Sequence, residues 1–133
     1  MALAVSDYLA KAILNQVFRN INYTRPATVY VALYTSNPTA ADTGTEVSGG
    51  AYARQAVTFG VPSAVGGKQT ISNSAEIAFP AASADWGTIT HVGIRDAATG
   101  GNLLYYGAVT NPRSILTSDV FKFAVGALSL SLN

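Results

Sequence analysis

The chain carries one histidine, His91, inside the stretch TITHVGIRD, and seven carboxylates: Asp7, Asp42, Glu46, Glu76, Asp85, Asp96 and Asp119. One imidazole cannot supply a three-ligand metal site. A Ser/His/Asp arrangement needs only one, and Asp85 or Asp96 could orient it. The sequence has no G-x-S-x-G elbow, however, and no serine at a recognisable strand-to-helix turn. His91 is therefore expected to be a half-buried strand residue hydrogen-bonded to a neighbour. Glycoside hydrolysis needs two facing carboxylates with separated pKa values. Most of the acids here lie in or beside turn-forming segments, where a carboxylate simply solvates. The chain contains no cysteine, which removes thiol chemistry, disulfides and Cys-based zinc sites. No catalytic group, cofactor or metal is expected.

Two glycine pairs raise the question of phosphate binding. A P-loop needs G-x-x-x-x-G-K-[ST], and a dinucleotide site needs G-x-G-x-x-G between a strand and a helix. SGGAYARQ, from Ser48, leads into a strand instead, and no helix follows VGGKQT. Both pairs read as places where the backbone turns. Glu46 and Arg54 flank the first of them and can pair across it, or to a neighbouring subunit.

The aromatic residues are seven Tyr, five Phe and one Trp. Exposed Tyr and Trp can stack on sugar rings or anchor subunit interfaces. DWG, with Asp85 and Trp86, and LLYYG, with Tyr105 and Tyr106, are the best candidates for either role. Phe121 and Phe123 alternate with Lys122 and read as core. The candidate interface set is Tyr8, Glu46, Tyr52, Arg54, Asp85, Trp86, Tyr105 and Tyr106.

These residues must be carried by one helix and a series of short strands. A helix is expected over residues 6–20. Ser6 is a good N-cap, Asp7 suits the positive end of the helix dipole, and Leu9, Ile13, Leu14, Val17 and Phe18 form an apolar stripe. The stripe is expected to pack on a sheet; the alternative is docking on a neighbouring subunit. NINYTRP ends the helix at Pro26. Over residues 27–133 the period falls to two. TVYVALYT places Val29, Val31 and Leu33 on one face, with Tyr30 and Tyr34 on the other. A long polar loop, Ser36 to Gly50, precedes a strand read through Phe59. VPSAVGGKQ reads as a flexible connection. QTISN and AEIAFP read as two strands joined by a tight turn at NS. TITHVGIRDA and LLYYGAVT form a hairpin about ATGGN, and NPRS turns the chain again. DVFKFAV follows, and ALSLSLN ends the chain with Leu128, Leu130 and Leu132 inward.

About eight or nine short strands after one helix argue for a single all-β domain over residues 1–133. A jelly-roll-like sandwich or barrel of about eight strands is the expectation. Charged residues make up 11% of the chain and hydrophobic residues 49%, with a mean hydropathy of +0.26. Average soluble domains carry about 25% charge, so much of this surface is expected to be buried against neighbours. The net charge is +1, and the basic residues are scattered rather than gathered in a stripe, so no nucleic-acid partner is expected. No stretch approaches the roughly 18 consecutive apolar residues of a membrane span. The N-terminal segment lacks the basic n-region of a signal peptide.

The order of several blocks is specific. SDYLAKAILNQVFRN and NYTRPATVYVALYTSNPT come first, then GTEVSGGAYARQAVTF. ISNSAEIAFPAASADWGTITHVGIRDAATGGNLLYYG and FKFAVGALSLSL follow. In these blocks the chain resembles small structural proteins of tailed phages and prophages, a group labelled tail fibre or phage structural proteins. Similar small β proteins of such phages act as cement, or decoration, proteins on the capsid. The resemblance implies a non-enzymatic virion component and brings no catalytic residues with it. The first expectation is a capsid cement protein, a homotrimer bridging subunits of the major capsid protein. The alternative is a tail fibre or receptor-binding component recognising a host surface glycan. The chain has no repeat or heptad from which to build a long shaft.

Overall fold

A computed structural model describes residues 2–132. The element order is β1 (Ala2–Val5), α1 (Asp7–Phe18), β2 (Val29–Tyr34), β3 (Gln55–Val57), β4 (Ser63–Val65) and β5 (Lys68–Ser72). It continues through β6 (Ile77–Ala78), β7 (Gly87–Arg95), β8 (Leu103–Ile115), β9 (Lys122–Phe123) and β10 (Ser129–Leu132). Eight strands form one sheet in the order β3-β2-β7-β8-β1-β10-β5-β4, and β6 pairs with β9 alone. The fold is all-β, as expected, with the large sheet curled into a half-barrel.

The strand β1, unforeseen in the sequence, holds the curl together. Ala2 and Leu3 pair in parallel with Ser129 and Leu130 of β10, while Ala4 and Val5 pair antiparallel with Tyr106 and Tyr105 of β8. One four-residue strand therefore joins the four strands β3-β2-β7-β8 to the three strands β10-β5-β4. Across the open side, Gly60 N donates to Ser72 O at 2.9 Å and Ser74 N donates to Thr58 O at 2.9 Å. Those two bonds form a short seam between the segment after β3 and the end of β5.

The core fills the curl. Val31, Leu33, Ile89, Val92, Ile94, Leu104, Ile115 and Leu128 are buried there. Five aromatic rings close one end: Tyr52, Phe79, Trp86, Phe121 and Phe123 pack with centroid separations of 5.1–6.5 Å. Tyr52 and Phe79 are stacked and the other pairs are edge-to-face, and both arrangements add to the large apolar area each ring buries. The expected core positions of Phe121 and Phe123 are found. The opposite face of β2 is also covered. Ala32 and Tyr34 pack with Leu103 in a second, smaller cluster, so Tyr34 is buried rather than turned to solvent.

Several segments differ from the sequence reading. Residues read as a flexible connection form β4 and a β4–β5 hairpin that turns on Gly66 and Gly67, both at positive φ. The expected NS turn is no hairpin. β6 pairs with β9, and Asn73 is buried, donating to Ala75 O and Ala124 O and accepting from Leu128 N. A polar side chain that satisfies three backbone groups replaces ladder bonds at that junction. NPRS lies within β8, and the β7–β8 register shifts between Ile89 and His91. Pro112 sits in that irregularity, where its missing N–H costs no ladder bond. Leu132 is 56% exposed, because β10 runs past the core at its end.

Candidate functional site

Two arginines shape the loop end of the molecule. Tyr34 and Glu46 form an isolated bridge, and Val47 N donates to Leu33 O, so the chain after the loop returns alongside β2. Glu46 then meets Arg54, eight residues on. Arg54 donates from Nε to Glu46 Oε2 at 2.8 Å and from Nη2 to Oε1 at 2.7 Å, a two-point fork. Its Nη1 donates to Ala97 O and Gly100 O, each at 2.8 Å. The guanidinium thus ties the loop to the β7–β8 turn. Tyr52 donates to Glu46 Oε2 at 2.6 Å and accepts from Leu33 N at 3.0 Å. Burial would raise the Glu46 carboxyl, but hydrogen bonds from Arg54 and Tyr52 outweigh it and hold it below its ordinary value. Burial and the Glu46 carboxylate push the Tyr52 hydroxyl well up, so it keeps its proton and donates.

The second clamp is Arg95 at the end of β7. It forks onto Asp42 at 2.8 and 2.9 Å, and also donates to Tyr34 Oη at 2.9 Å and Gly101 O at 2.9 Å. Planar, multi-donor guanidinium groups suit this bridging role better than an ammonium group. Between the clamps the loop is itself highly ordered. Pro38 is fully buried, and Thr39 stands at φ +58°, its hydroxyl 2.9 Å from that of Thr43. A β-branched residue holds that backbone only where its surroundings over-determine it. The stretch expected as a polar external loop is exposed over most of its length, as expected, and is clamped at two points by Arg54 and Arg95.

Between this loop and the β7–β8 turn lies a cleft of about 360 Å³, lined among others by Ser48, Gly49, Tyr52, Thr99 and Gly100. Gly50, next along the chain from the lining residue Gly49, packs instead against Trp86. Its carbonyl accepts from Trp86 Nε1 at 2.8 Å, and a Cβ there would lie 2.8 Å from that nitrogen and 2.9 Å from Ala84 O. With φ at +60°, only glycine fits this contact without strain.

The residues singled out in the sequence separate into distinct environments. Glu46, Tyr52 and Arg54 come together around one carboxylate, as the spacing across the glycine pair allowed. Trp86 and Tyr105 are buried, at 5% exposure each, and cannot offer ring faces to a sugar. Tyr105 donates to Ser131 O at 3.0 Å. Asp85 is exposed and accepts from Thr117 N at 3.0 Å. Tyr106 is half-buried against the smaller cluster. Tyr8 is 41% exposed and lies edge-on to Tyr23. His91 is half-buried, its Nδ1 2.8 Å from Thr90 Oγ1, and burial lowers its pKa. The sequence reading missed Arg95 and Asp42. A strand-terminal arginine followed by a glycine-rich turn was the available signal, but its partner lies 53 residues away.

At the helix, Ser6 caps as expected. Its Oγ accepts from Leu9 N at 3.2 Å and donates to Leu103 O at 2.6 Å, fixing the helix start to β8. The stripe does not enter the core, however, and no helix residue is buried. Leu14, Val17 and Phe18 are 56%, 62% and 77% exposed. Of the stripe, Leu9 packs against the core and Ile13 reaches the sheet beside it. They line an apolar groove of about 380 Å³ together with Phe59, Ile71, Leu130 and Leu132.

Among the described residues, no three His, Cys, Asp or Glu side chains gather in a way that could hold a metal ion. No curated protein matches the chain. The model of one family, described as Podophage GP4 fiber I protein gp80, matches residues 4–131, and the chain belongs to that family.

Proposed function

We propose, from membership in this fibre-protein family, that the chain is a non-enzymatic component of a tail fibre, presenting its loop end to a host surface glycan. The family match over residues 4–131 carries the reading. It favours the fibre over the capsid cement protein expected first from the sequence, and it belongs with a phage virion and its tail. The loop end supports the glycan part. Arg54 ties both walls of the cleft together before any ligand arrives, which reduces the ordering cost of binding. Its walls offer the hydroxyls of Ser48 and Thr99, with open space beside Gly49 and Gly100. Such groups suit the dense hydroxyls of a sugar.

Immunogold labelling of intact virions tests the location. Label on the tail, with a few to a few tens of copies per particle, is expected. Label spread over the capsid in hundreds of copies would return the protein to the cement reading. A glycan array probed with the isolated chain tests the ligand, and binding lost in Thr99→Trp, which fills the cleft, is the expected result.

A further inference from the structure

The cleft between the loop and the β7–β8 turn is lined by two ionised side chains, Glu46 and Arg54, and they are unequally open to it. The Arg54 side chain is 7% exposed and the Glu46 side chain 23%. Arg54 is also nearly used up. A guanidinium has about five N–H donors. Here Nε and Nη2 donate to Glu46, and Nη1 donates to both Ala97 O and Gly100 O. The carboxylate has more to give. Its Oε2 accepts from Tyr52 Oη at 2.6 Å and from Arg54 Nε at 2.8 Å, which fills both lone-pair directions. Among the described residues, its Oε1 accepts from Arg54 Nη2 alone, at 2.7 Å. One acceptor direction is therefore left on Oε1, on a side chain that reaches the cleft.

We infer that Glu46 Oε1 is the anchoring acceptor for a sugar hydroxyl, and that the cleft selects uncharged sugars. The inference rests on the glycan reading above and names the class of glycan. A hydroxyl that donates to an ionised carboxylate makes a short, charge-assisted bond. The hydroxyls of Ser48 and Thr99 can donate or accept, so they match either half of a neighbouring sugar hydroxyl. An acidic sugar would give up the water around its own charge and find no cation with donors to spare. Arg54 is committed to the chain, and no other Lys or Arg lines the cleft among the described residues. The acid would meet the Glu46 carboxylate instead, a like-charge contact that binding does not repay. An ammonium seated on Oε1 would stand beside the guanidinium that already holds that oxygen. The ion pair is thus closed to ligands of either sign. Stacking does not override this choice. Tyr52, the aromatic residue of the lining, is half-buried, with its ring stacked on Phe79 and its hydroxyl held by Glu46.

A glycan array probed with the isolated full chain at neutral pH and low salt tests the inference. The array carries matched trios in the gluco, galacto and manno series among its other glycans. Within each trio the terminal residue is a hexose, the hexuronate with a carboxylate in place of the CH2OH, or the hexosamine with a free ammonium in place of one hydroxyl. The tightest ligand is expected to have an uncharged end, with its charged counterparts about tenfold weaker. In Glu46→Gln, which keeps the shape and removes the charge, that margin should shrink to about threefold or less. Equal or tighter binding of a hexuronate or hexosamine by the wild-type chain would overturn the inference and leave the glycan reading standing. So would an unchanged margin in Glu46→Gln that circular dichroism shows to be folded. Silence of every glycan on the array would overturn the glycan reading and this inference with it.

Discussion

The loop end and the helix end solve opposite problems. At the loop end, a long polar segment with small side chains is tied down by two guanidinium clamps and a buried proline. The ionised groups there, Asp42, Glu46, Arg54 and Arg95, pair with one another within the chain. At the helix end, a regular element with good capping leaves its apolar side uncovered. The first region is complete in the single chain, and the second is not. Polar closure inside one molecule suits a surface that must be ready before a partner arrives. Apolar excess suits a surface that is finished by assembly.

The comparison predicts that substitutions at the loop end act on stability, while those on the helix act on association. The largest effect belongs to Arg95→Ala. It removes the fork to Asp42 and strands the Tyr34 hydroxyl and the Gly101 carbonyl. Breaking a buried pair costs up to about 5 kcal/mol, but Asp42 is about a third exposed, which brings the expectation to about 3 kcal/mol. The melting temperature should fall by roughly 10 °C for a chain of this size, as read by scanning calorimetry. Gly50→Ala comes next. It forces a Cβ against Trp86 and Ala84 O at positive φ, and should cost about 2 kcal/mol in a urea titration.

Glu46→Gln should cost about 1–2 kcal/mol at neutral pH, since it weakens three charge-assisted hydrogen bonds, two from Arg54 and one from Tyr52. Its pH dependence has a definite sign. The folded-state pKa of Glu46 lies below its ordinary value of 4.5. The carboxylate's contribution is therefore fully present above about pH 4.5 and is lost as pH falls through the lowered folded value. The gap between wild type and Glu46→Gln, followed by urea unfolding across the acid range, should narrow only below that point. A gap that closed near neutrality would break the account of the clamp. The smallest effect is expected for Phe18→Ser. For the isolated chain in dilute solution, it should change unfolding stability by no more than about 0.5 kcal/mol.

Local signals in the sequence carried the reading where partners are close along the chain. Ser6 as N-cap, the strand TVYVALYT, the ATGGN hairpin and the Glu46–Arg54 pair were all legible from spacing alone. Long-range pairing was not. β1 is too short to show a period of two, and its identity comes from β8 and β10, about a hundred residues away. Arg95 finds Asp42 only because the loop folds back over β7. Trp86 and Tyr105 belong to residue types that serve cores and interfaces equally, so type could not decide their burial. The apolar stripe of α1 was visible, but which surface covers it depends on how much of the curl the strands already fill.

The central claim, that the loop region is presented and the apolar side of the helix is covered, can be tested on assembled particles. Thr99→Cys and Phe18→Cys, each introduced into virions of a chain without cysteine, would be exposed to a maleimide reagent and their labelling rates compared with those of the dissociated, folded chain. The account predicts that Thr99→Cys reacts at nearly its free rate while Phe18→Cys is protected at least about tenfold, as expected for a residue inside a dry interface. Equal reactivity of Phe18→Cys in virions and in free chain would contradict it.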